Sequence, residues 1–329
     1  MEHAPCPISG TRNFIPYLTV PDRFDPSGKT WHLVRSGDSG LIMLDPRPSA
    51  GKSLLFYPER AYDPHLHETV SAGAGDALYL LLRSVLMQKK ARIVLDGISK
   101  SRTRTKVLEV GCSSGELLLR LHRGSGIPLH NLVGIETNRR VAAIARTKGL
   151  RVLETDLSET EFSCRFDRIV FWHTLEHLHR IGENLQRAAA LLEPDGMLII
   201  AVPNRDSYDA QHYGSRWIAW DAPRHLYHFN PSTLSALLSK YGFFPGKLQT
   251  YPPDSIYNVW HSEKLACMLD GHRFMGGRAV FHAARALLAG INAEKASGIV
   301  CFAVLSRQYL PERGTVLPSD FSNSTDATR

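Results

Sequence analysis

Short apolar runs alternate with amphipathic stretches over most of the chain. The apolar runs predict buried strands at 107–110, 132–136, 151–153, 168–172, 197–202, 243–249 and 298–306. Between them, apolar residues recur every three or four positions, which predicts helices over 116–122, 139–148, 183–192 and 232–241. Strands and helices that alternate with short connections form βαβ units and a largely parallel sheet. The pattern therefore predicts an α/β fold that binds ligands beyond the carboxyl ends of its strands.

The N-terminal part of the chain has a different pattern. It is rich in proline, glycine and aromatic residues, and apolar runs at 31–35 and 41–44 flank a Ser-Gly-Asp-Ser-Gly turn. Two such runs around a glycine-containing turn predict a β-hairpin. Apolar residues at helical spacing then predict a helix over 76–98 that leads into the main domain. We expect an N-terminal extension of hairpin and loops at 1–74.

Two further segments lie outside the strand and helix alternation. Residues 251–297 are too long for a plain loop and have helical patterns, which predicts a helical cap inserted into the main domain. The chain after Pro311 is polar and without period, which predicts a flexible tail at 311–329. The main domain is therefore expected to span 75–310.

Composition places the chain among ordinary globular proteins. Of its 329 residues, 43% are hydrophobic and 22% are charged, which is typical of a folded domain. The five cysteines are scattered and form no Cys-x-x-Cys pair, which predicts a reducing compartment. The N-terminus lacks the pattern of a signal peptide, and no apolar run reaches the length that spans a bilayer. We predict a cytoplasmic protein without a membrane span.

The charge of the chain is positive and unevenly distributed. The net charge of +7 permits an anionic partner without requiring one. Between Arg83 and Lys106 there are eight lysines or arginines and one aspartate. Such a run can contact phosphates, but it is more commonly a solvated helix face followed by a basic linker, and we favour that interpretation.

Residues 106–118 contain the most informative local pattern. They read as a buried strand, a glycine-containing turn and the start of a helix, with Glu109 near the end of the strand. This order of elements brings backbone close to a ligand and points helix N–H groups at it. The dinucleotide fingerprint Gly-x-Gly-x-x-Gly fails here, because Ser113 lies between Gly111 and Gly115. An NAD-dependent enzyme is therefore not expected.

A phosphate-binding P-loop is also excluded. Gly51, Lys52 and Ser53 look like the end of such a loop, but Pro46 stands where its first glycine belongs.

The stretch 106–118 is similar to motif I of the class I S-adenosylmethionine-dependent methyltransferases, usually written hydrophobic-Leu-Asp/Glu-Val-Gly-Cys-Gly-x-Gly. Later segments match the same family in order: Gly-Ile-Glu ending at Glu136, Glu-Thr-Asp-Leu ending at Leu157, and His-x-Leu-Glu-His-Leu starting at His173. The resemblance implies S-adenosylmethionine as cofactor. It also implies a Rossmann-like methyltransferase fold, with a seven-stranded, mostly parallel sheet whose last strand is antiparallel.

The resemblance also implies which residues contact the cofactor. In the family, the acid at Glu136 bonds the ribose hydroxyls and the acid at Asp156 meets the adenine amino group. Ser113 replaces the middle glycine of motif I, and serine is small and a capable helix N-cap. The expected cofactor contacts are Glu109, Gly111, Cys112, Ser113, Gly115, Glu136, Asp156, Leu157, Trp172 and His173.

Residues 217–229 resemble the Asp-x-Pro-Arg-His-Leu-x-His-Phe segment of a bacterial branch of the family, the type 23 and UbiG-like methyltransferases. The resemblance implies a lid at 205–230 over the substrate mouth. It also implies a small-molecule acceptor, such as a sugar, a polysaccharide precursor, a quinone-like compound or another secondary metabolite. Relatives often carry a Cys-x-x-Cys pair where Ser36 and Ser39 stand here, so zinc is not expected there.

The lid segment contains two charges of opposite sign. Asp221 and Arg224 can hold the lid closed by an ion pair or grip an anionic substrate, and we favour the structural role. Glu176 has two structural interpretations: it could pair with Arg224, or it could cap a helix.

Histidines are the candidate catalytic residues. Methyl transfer mainly needs the acceptor atom to be aligned and water to be excluded, and a hydroxyl acceptor is helped by a base. The candidates are His225 on the lid and His173 and His177 after the fourth strand of the domain. Each has a structural alternative, because His225 could anchor the lid and His173 could support the cofactor. His173 and His177 could also suggest a metal pair, but we see no matching third ligand and predict no metal.

Three function classes remain open at this point. The leading one is an O-directed methyltransferase of a small-molecule acceptor, acting as a monomer or homodimer. The basic run suggests a nucleic-acid methyltransferase, but strand four ends in Phe-Trp-His-Thr rather than in Asn/Asp-Pro-Pro-aromatic, which makes nucleic acid an unlikely partner. The third is a cofactor-binding protein without catalysis.

Overall fold

The computed structural model describes residues 1–25, 27–57 and 74–306, and within 74–83 it describes only the course of the backbone. The tail predicted at 311–329 lies outside the described residues. The strands are β1 (Phe14–Pro21), β2 (Thr30–Ser36), β3 (Ile42–Leu44), β4 (Val107–Val110), β5 (Leu132–Ile135), β6 (Arg151–Leu153), β7 (Phe166–Trp172), β8 (Leu192–Pro203), β9 (Tyr227–His228), β10 (Phe243–Thr250) and β11 (Gly298–Leu305). The α-helices are α1 (Ala50–Ser53), α2 (Ala74–Val94), α3 (Glu116–Ser125), α4 (Arg139–Thr147), α5 (Ile181–Leu191), α6 (Tyr208–Tyr213), α7 (Pro231–Lys240), α8 (Pro252–Asp270) and α9 (Gly276–Ala289).

Seven strands form the main sheet, in the order β10-β11-β8-β7-β4-β5-β6. Strands β4 to β8 pair in parallel, whereas β11 runs antiparallel to both of its neighbours. This arrangement confirms the predicted Rossmann-like sheet with an antiparallel last strand. Every residue of β4, β5 and β7 is buried, because helices cover both faces of a parallel sheet.

The helices that flank the sheet begin where the sequence supplies caps. Asn138 opens α4 by accepting hydrogen bonds from the backbone N–H groups of Arg140 and Val141. Asn230 opens α7 through a reciprocal capping box with Thr233. None of the helices in the described part of the chain is both long and apolar enough to cross a bilayer.

A second, four-stranded antiparallel sheet joins the N-terminal extension to the segment 205–230, which is predicted to be a lid and is called the lid below. Its order is β1-β2-β3-β9, and the predicted hairpin is present as β2 and β3, with Leu33 opposite Leu44. The expectation of only a hairpin and loops was incomplete in two respects. Strand β1 packs outside β2, and β9 of the lid pairs with β3, with Ile42 opposite His228. The extension and the lid are therefore parts of one sheet.

Strand β8 starts earlier than the predicted strand 197–202. Its first residue, Leu192, lies opposite Phe166, and Met197 lies opposite Arg168, so several residues of β8 face a short stretch of β7. Residues 193–196 form a bulge within this strand, because β8 pairs with β7 on both sides of them.

Candidate active site

The turn after β4 is shaped by two glycines. Gly111 has φ 73°, and a Cβ at this position would lie 2.3 Å from Oγ1 of Thr174. Gly115 has φ 77°, and its Cβ would lie 2.1 Å from Cδ1 of Leu150. Only glycine fits a positive φ and such close approach. Ser113 lies between them with φ 49°. It therefore adopts the left-handed backbone conformation although it replaces the usual middle glycine.

Glu136 at the end of β5 is connected to this turn. Its Oε2 accepts a hydrogen bond of 3.0 Å from the backbone N–H of Ser113, and its Oε1 accepts one of 2.8 Å from Asn138. Burial raises the pKa of Glu136, and these N–H groups act in the opposite direction. A carboxylate has about four acceptor positions, so lone pairs remain for the hydroxyls of a ligand. Behind it, Cys112 packs against Gly134, where a Cβ would lie 2.4 Å from Sγ of Cys112.

Glu109 and Trp172 present buried polar atoms that have no hydrogen-bond partner within the described residues. These atoms are Oε2 of Glu109 and Nε1 of Trp172. Burial raises the pKa of Glu109 to about 8, against the opposing charge of Lys90. The Nζ of Lys90, on α2, lies 4.8 Å from the centre of the Trp172 ring. Because buried polar groups are normally hydrogen-bonded, these atoms fit a polar ligand at this position.

The sequence pattern missed Lys90. Its basic run predicts a solvated helix face, whereas this lysine is turned toward β4 and β7, and burial lowers its pKa. The signal was available in its neighbours, because Ala91, Ile93 and Val94, which follow it on α2, are buried.

Asp156 and Leu157 follow β6, and each makes structural contacts within the protein. Oδ1 of Asp156 caps the short 3-10 turn Leu157–Glu159 by accepting from the backbone N–H of Ser158, and it also accepts a bond of 2.9 Å from the side chain of Asn184. The Leu157 side chain is fully buried in the core. The structure thus places both residues at the carboxyl edge of the sheet, each with a structural contact.

His173 follows β7 in a strained backbone conformation and lies between two carboxylates. It has φ 51°, and its N–H donates to the carbonyl of Ala201 at 2.9 Å. Its Nε2 lies 3.1 Å from Oδ2 of Asp254, and its Nδ1 lies 3.5 Å from Oε1 of Glu176. Burial lowers the pKa of His173, but the two carboxylates outweigh this effect and raise its pKa to about 10. The ring is therefore an imidazolium at neutral pH.

This ion pair makes the stability of the protein depend on pH. The pKa of His173 is raised in the folded state, so its contribution is complete below the ordinary histidine pKa and is lost as pH rises toward 10. We expect the midpoint of thermal unfolding to fall less steeply between pH 7 and pH 10 in Asp254→Asn than in the unmodified protein. Asp195→Asn, at an exposed position, serves as the control. Parallel profiles for Asp254→Asn and the unmodified protein would contradict the assignment.

His177 and His225 form an edge-to-face pair, with ring centres 4.6 Å apart. Nδ1 of His225 lies 2.8 Å from the carbonyl of Ala219, and Nδ1 of His177 lies 3.1 Å from the carbonyl of Arg224. Because a carbonyl only accepts, Nδ1 of His225 carries the hydrogen and its Nε2 keeps a lone pair. Nδ1 of His177 also lies 3.0 Å from the hydroxyl of Tyr57, which can donate or accept. Burial and the neighbouring His225 lower the pKa of His177 to about 4, so His177 is neutral.

Glu176 completes this cluster. It is 1% exposed, and neither of its carboxylate oxygens has a hydrogen bond within the described residues. One ligand atom each of Glu176, His177 and His225 lies within 4.8 Å of the others, a grouping that could hold a metal ion. The sequence pattern does not reveal this third partner, because His225 lies far along the chain from Glu176 and His177. The absence of a metal stays a prediction.

The guanidinium of Arg224 forms buried ion pairs within the protein. Its Nη2 lies 2.9 Å from Asp22, its Nε lies 2.7 Å from Asp221, and Arg23 reaches Asp221 from the N-terminal extension at 2.8 Å. The Arg224 side chain is 1% exposed. The structural interpretation of Asp221 and Arg224 therefore agrees with the geometry, and the pairing of Arg224 with Glu176 is wrong, since Arg224 pairs with Asp22 and Asp221.

The sequence matches a known family over the region that builds this site. Residues 82–244 match the profile of the type 23 methyltransferases, described as a methyltransferase domain. The chain carries an S-adenosylmethionine-dependent methyltransferase domain. Within this methyltransferase, the glycine turn, Glu136 and the unpartnered atoms of Glu109 and Trp172 lie at the carboxyl ends of the central strands, the edge at which such sheets bind ligands.

Two curated proteins are similar to the methyltransferase. The ubiquinone biosynthesis O-methyltransferase of Azorhizobium caulinodans is 25% identical over 190 residues, which cover 54% of this chain and 72% of that protein. The protein of the same name from Bradyrhizobium diazoefficiens is 26% identical over 141 residues, 41% of this chain and 55% of that protein. Among solved structures, magnesium protoporphyrin IX methyltransferase from Synechocystis PCC 6803 has a TM-score of 0.48 at 13% identity, over 78% of this chain and all (100%) of that chain.

Proposed function

We propose that the enzyme transfers a methyl group to a hydroxyl of a small-molecule acceptor. The observation that carries the proposal is the His177–His225 pair, in which Nδ1 of His225 is held by the carbonyl of Ala219 and its Nε2 keeps a lone pair. The similarity to enzymes named ubiquinone biosynthesis O-methyltransferase supports O-methylation. A sugar, a polysaccharide precursor, a quinone-like compound or another secondary metabolite would present such a hydroxyl.

The cofactor supplies an electrophilic methyl carbon, and the chain's own groups would bind and orient it. We assign Glu136 to the ribose hydroxyls, because its carboxylate is fixed by two backbone N–H groups and keeps free lone pairs. The unpartnered Oε2 of Glu109 and the nearby Nζ of Lys90 suit the charged amino-acid end. Asp156 is assigned to the adenine edge. The remaining proposed contacts are Gly111, Cys112, Ser113, Gly115, Leu157, Trp172 and His173.

We assign the role of base to His225. Its Nε2 is not committed to a backbone carbonyl, and it lies on the lid beside the carboxyl end of β7. His173 is unsuited to this role, because it is already protonated between Asp254 and Glu176. When Nε2 of His225 takes the hydroxyl proton, the buried carboxylate of Glu176 nearby stabilises the new positive charge. His177 orients the His225 ring edge-on.

The basic run supports a small molecule rather than a nucleic acid as acceptor. Within this run, Lys89 lies over the ring of Tyr251, Lys90 lies over the ring of Trp172, and Lys100 contacts Asp167 at 2.5 Å. Several of these side chains are thus committed within the protein. Among the described residues the five cysteines are all free thiols, as is typical of a reducing compartment, and we propose a cytoplasmic enzyme.

Glu136→Ala tests the ribose assignment. We expect the affinity for S-adenosylhomocysteine to fall by about 10- to 100-fold, since a hydrogen bond to a charged group contributes roughly 1.5–3 kcal/mol. Isothermal titration calorimetry measures the change, and Glu161→Ala, at an exposed position, is the matched control. If Glu136→Ala binds as tightly as Glu161→Ala, Glu136 does not hold the ribose.

A further inference from the structure

Tyr57 belongs to the N-terminal extension and lies against the histidine pair. Its hydroxyl oxygen is 3.0 Å from Nδ1 of His177, and the centres of the two rings are 6.2 Å apart. His177 in turn meets the ring of His225 edge-to-face at 4.6 Å. A side chain of the extension therefore contacts the histidine that packs against the proposed base.

The chain just before Tyr57 is fixed to the lid. The carbonyl of Phe56 accepts a hydrogen bond of 3.0 Å from Nη1 of Arg224, and the Phe56 ring packs edge-on against Trp31 of β2, with 5.4 Å between the ring centres. The carbonyl of the same arginine lies 3.1 Å from Nδ1 of His177. Because Arg224 contacts both the backbone before Tyr57 and the ring of His177, one residue fixes both sides of the tyrosine–histidine contact.

The position of the hydrogen on His177 follows from its two oxygen partners. The carbonyl of Arg224 can only accept, so a hydrogen bond to it requires the hydrogen on Nδ1. The phenol oxygen of Tyr57 can accept as well, and one hydrogen can be shared between two acceptors. With the hydrogen on Nε2, the lone pair of Nδ1 would instead face the carbonyl oxygen. The Nδ1–H form of His177 therefore satisfies both contacts.

The contact joins two neutral groups. Burial and the carboxylate of Asp221 raise the pKa of Tyr57, and the opposing charge of Arg224 does not cancel them, so the side chain is a neutral phenol at neutral pH. His177 is neutral as well, because burial and His225 lower its pKa. A hydrogen bond between neutral groups is directional. It therefore constrains the orientation of the His177 ring.

We propose that Tyr57 is a positioning residue for methyl transfer, whose hydroxyl holds the ring of His177 and through it the ring of His225. This inference rests on the proposed role of His225 as base, and it makes the N-terminal extension part of the active site. Without the hydroxyl, Nδ1 of His177 keeps only the carbonyl of Arg224, and the ring can tilt about that contact. Nε2 of His225 is then aligned with the acceptor hydroxyl in a smaller fraction of complexes.

Turnover in single and double variants tests this coupling. We expect Tyr57→Phe to lower kcat by roughly three- to tenfold, the effect of losing one ordinary hydrogen bond, and to leave the affinity for S-adenosylhomocysteine unchanged. In a His177→Ala background the same substitution should cause no further loss, since the residue through which Tyr57 acts is absent.

Tyr241→Phe is the matched control. The hydroxyl of Tyr241 lies 3.1 Å from the carbonyl of Pro7, so it also joins the extension to the main domain, but outside the site. We expect Tyr241→Phe to keep its full kcat. Equal losses in Tyr57→Phe and Tyr241→Phe would assign both hydroxyls to the attachment of the extension and would overturn the proposal.

Nitrogen-15 NMR of the histidine rings gives a readout that needs no acceptor. The Nδ1 resonance of His177, assigned by its loss in His177→Ala, is expected to shift in Tyr57→Phe and to stay in place in Tyr241→Phe, because only the first variant removes a hydrogen-bond partner of that nitrogen.

Three further results would contradict the positioning role of Tyr57. They are an unmoved His177 resonance in Tyr57→Phe, an unchanged kcat in Tyr57→Phe, and a loss of kcat that is equally large in the His177→Ala background, as expected of a structural role. Full turnover in His225→Ala would instead contradict the proposed base, whereas the His177 resonance would still show whether Tyr57 holds that ring.

Discussion

Replacing His225 by alanine is expected to lower the rate of methyl transfer by about 10²–10⁴-fold, the usual contribution of a positioned base. The affinity for S-adenosylhomocysteine is expected to change little, because His225 bonds the lid carbonyl of Ala219 and not the glycine turn. Turnover with a panel of hydroxyl acceptors and calorimetry with S-adenosylhomocysteine measure the two quantities. His177→Ala is expected to have the smaller effect on turnover, since His177 acts through the position of its neighbour.

The surface variant His130→Ala is the control, because His130 is exposed and lies outside the site. An equal loss of turnover and cofactor affinity in His225→Ala would show that the lid has collapsed. Unchanged turnover would remove His225 from the mechanism. Rescue by added imidazole would strengthen the assignment, since a merely structural histidine is not replaced by a free base.

Arg224→Ala is expected to lower the free energy of unfolding by about 3–5 kcal/mol, the usual effect of removing one partner of a buried ion pair. The arginine is buried, and its loss leaves Asp22 without its guanidinium and Asp221 with Arg23 alone. Burial raises the pKa of Asp221, but the two arginines outweigh it and hold that pKa well below the usual range. Urea unfolding at neutral pH measures the loss.

Arg216→Ala provides the matched control. Arg216 pairs with Asp270, and both side chains are more than one-third exposed, at 42% and 36%. Surface pairs contribute about 0–1 kcal/mol, so the loss in Arg216→Ala should be small. If the two variants lose the same stability, the buried network does not hold the lid.

The main sheet could be predicted because its signals are local. Strands β4 and β6 have the predicted bounds, since each is a short apolar run followed by its own turn or helix. Strand β9 could not be predicted, because two residues have no period and are ordered only by pairing with β3. Strand β1 was missed because Pro16 and Pro21 interrupt its pattern, which an edge strand tolerates.

The residues of the site also differ in whether local sequence signals predict their positions. Gly111 and Glu136 belong to strand-turn-helix units, so their positions follow from chain order. The environment of His173 does not follow from chain order, because its partner Asp254 belongs to helix α8, far along the chain. That contact changes the chemistry of the residue, turning a candidate base into a cation. Likewise, His225 meets His177 only after the lid has folded against the carboxyl end of β7.

The pairing of β3 with β9 has a consequence for changing the specificity of such enzymes. Residues 217–229 take their position from strands near the start of the chain, and Asp22 and Arg23 connect to them through buried charges. An exchange of the lid alone between relatives would leave the new segment without its matching edge strand and counter-ions. A working chimera would have to transplant residues 1–57 and 217–229 together, while the segment from β4 to β7 could stay with the host.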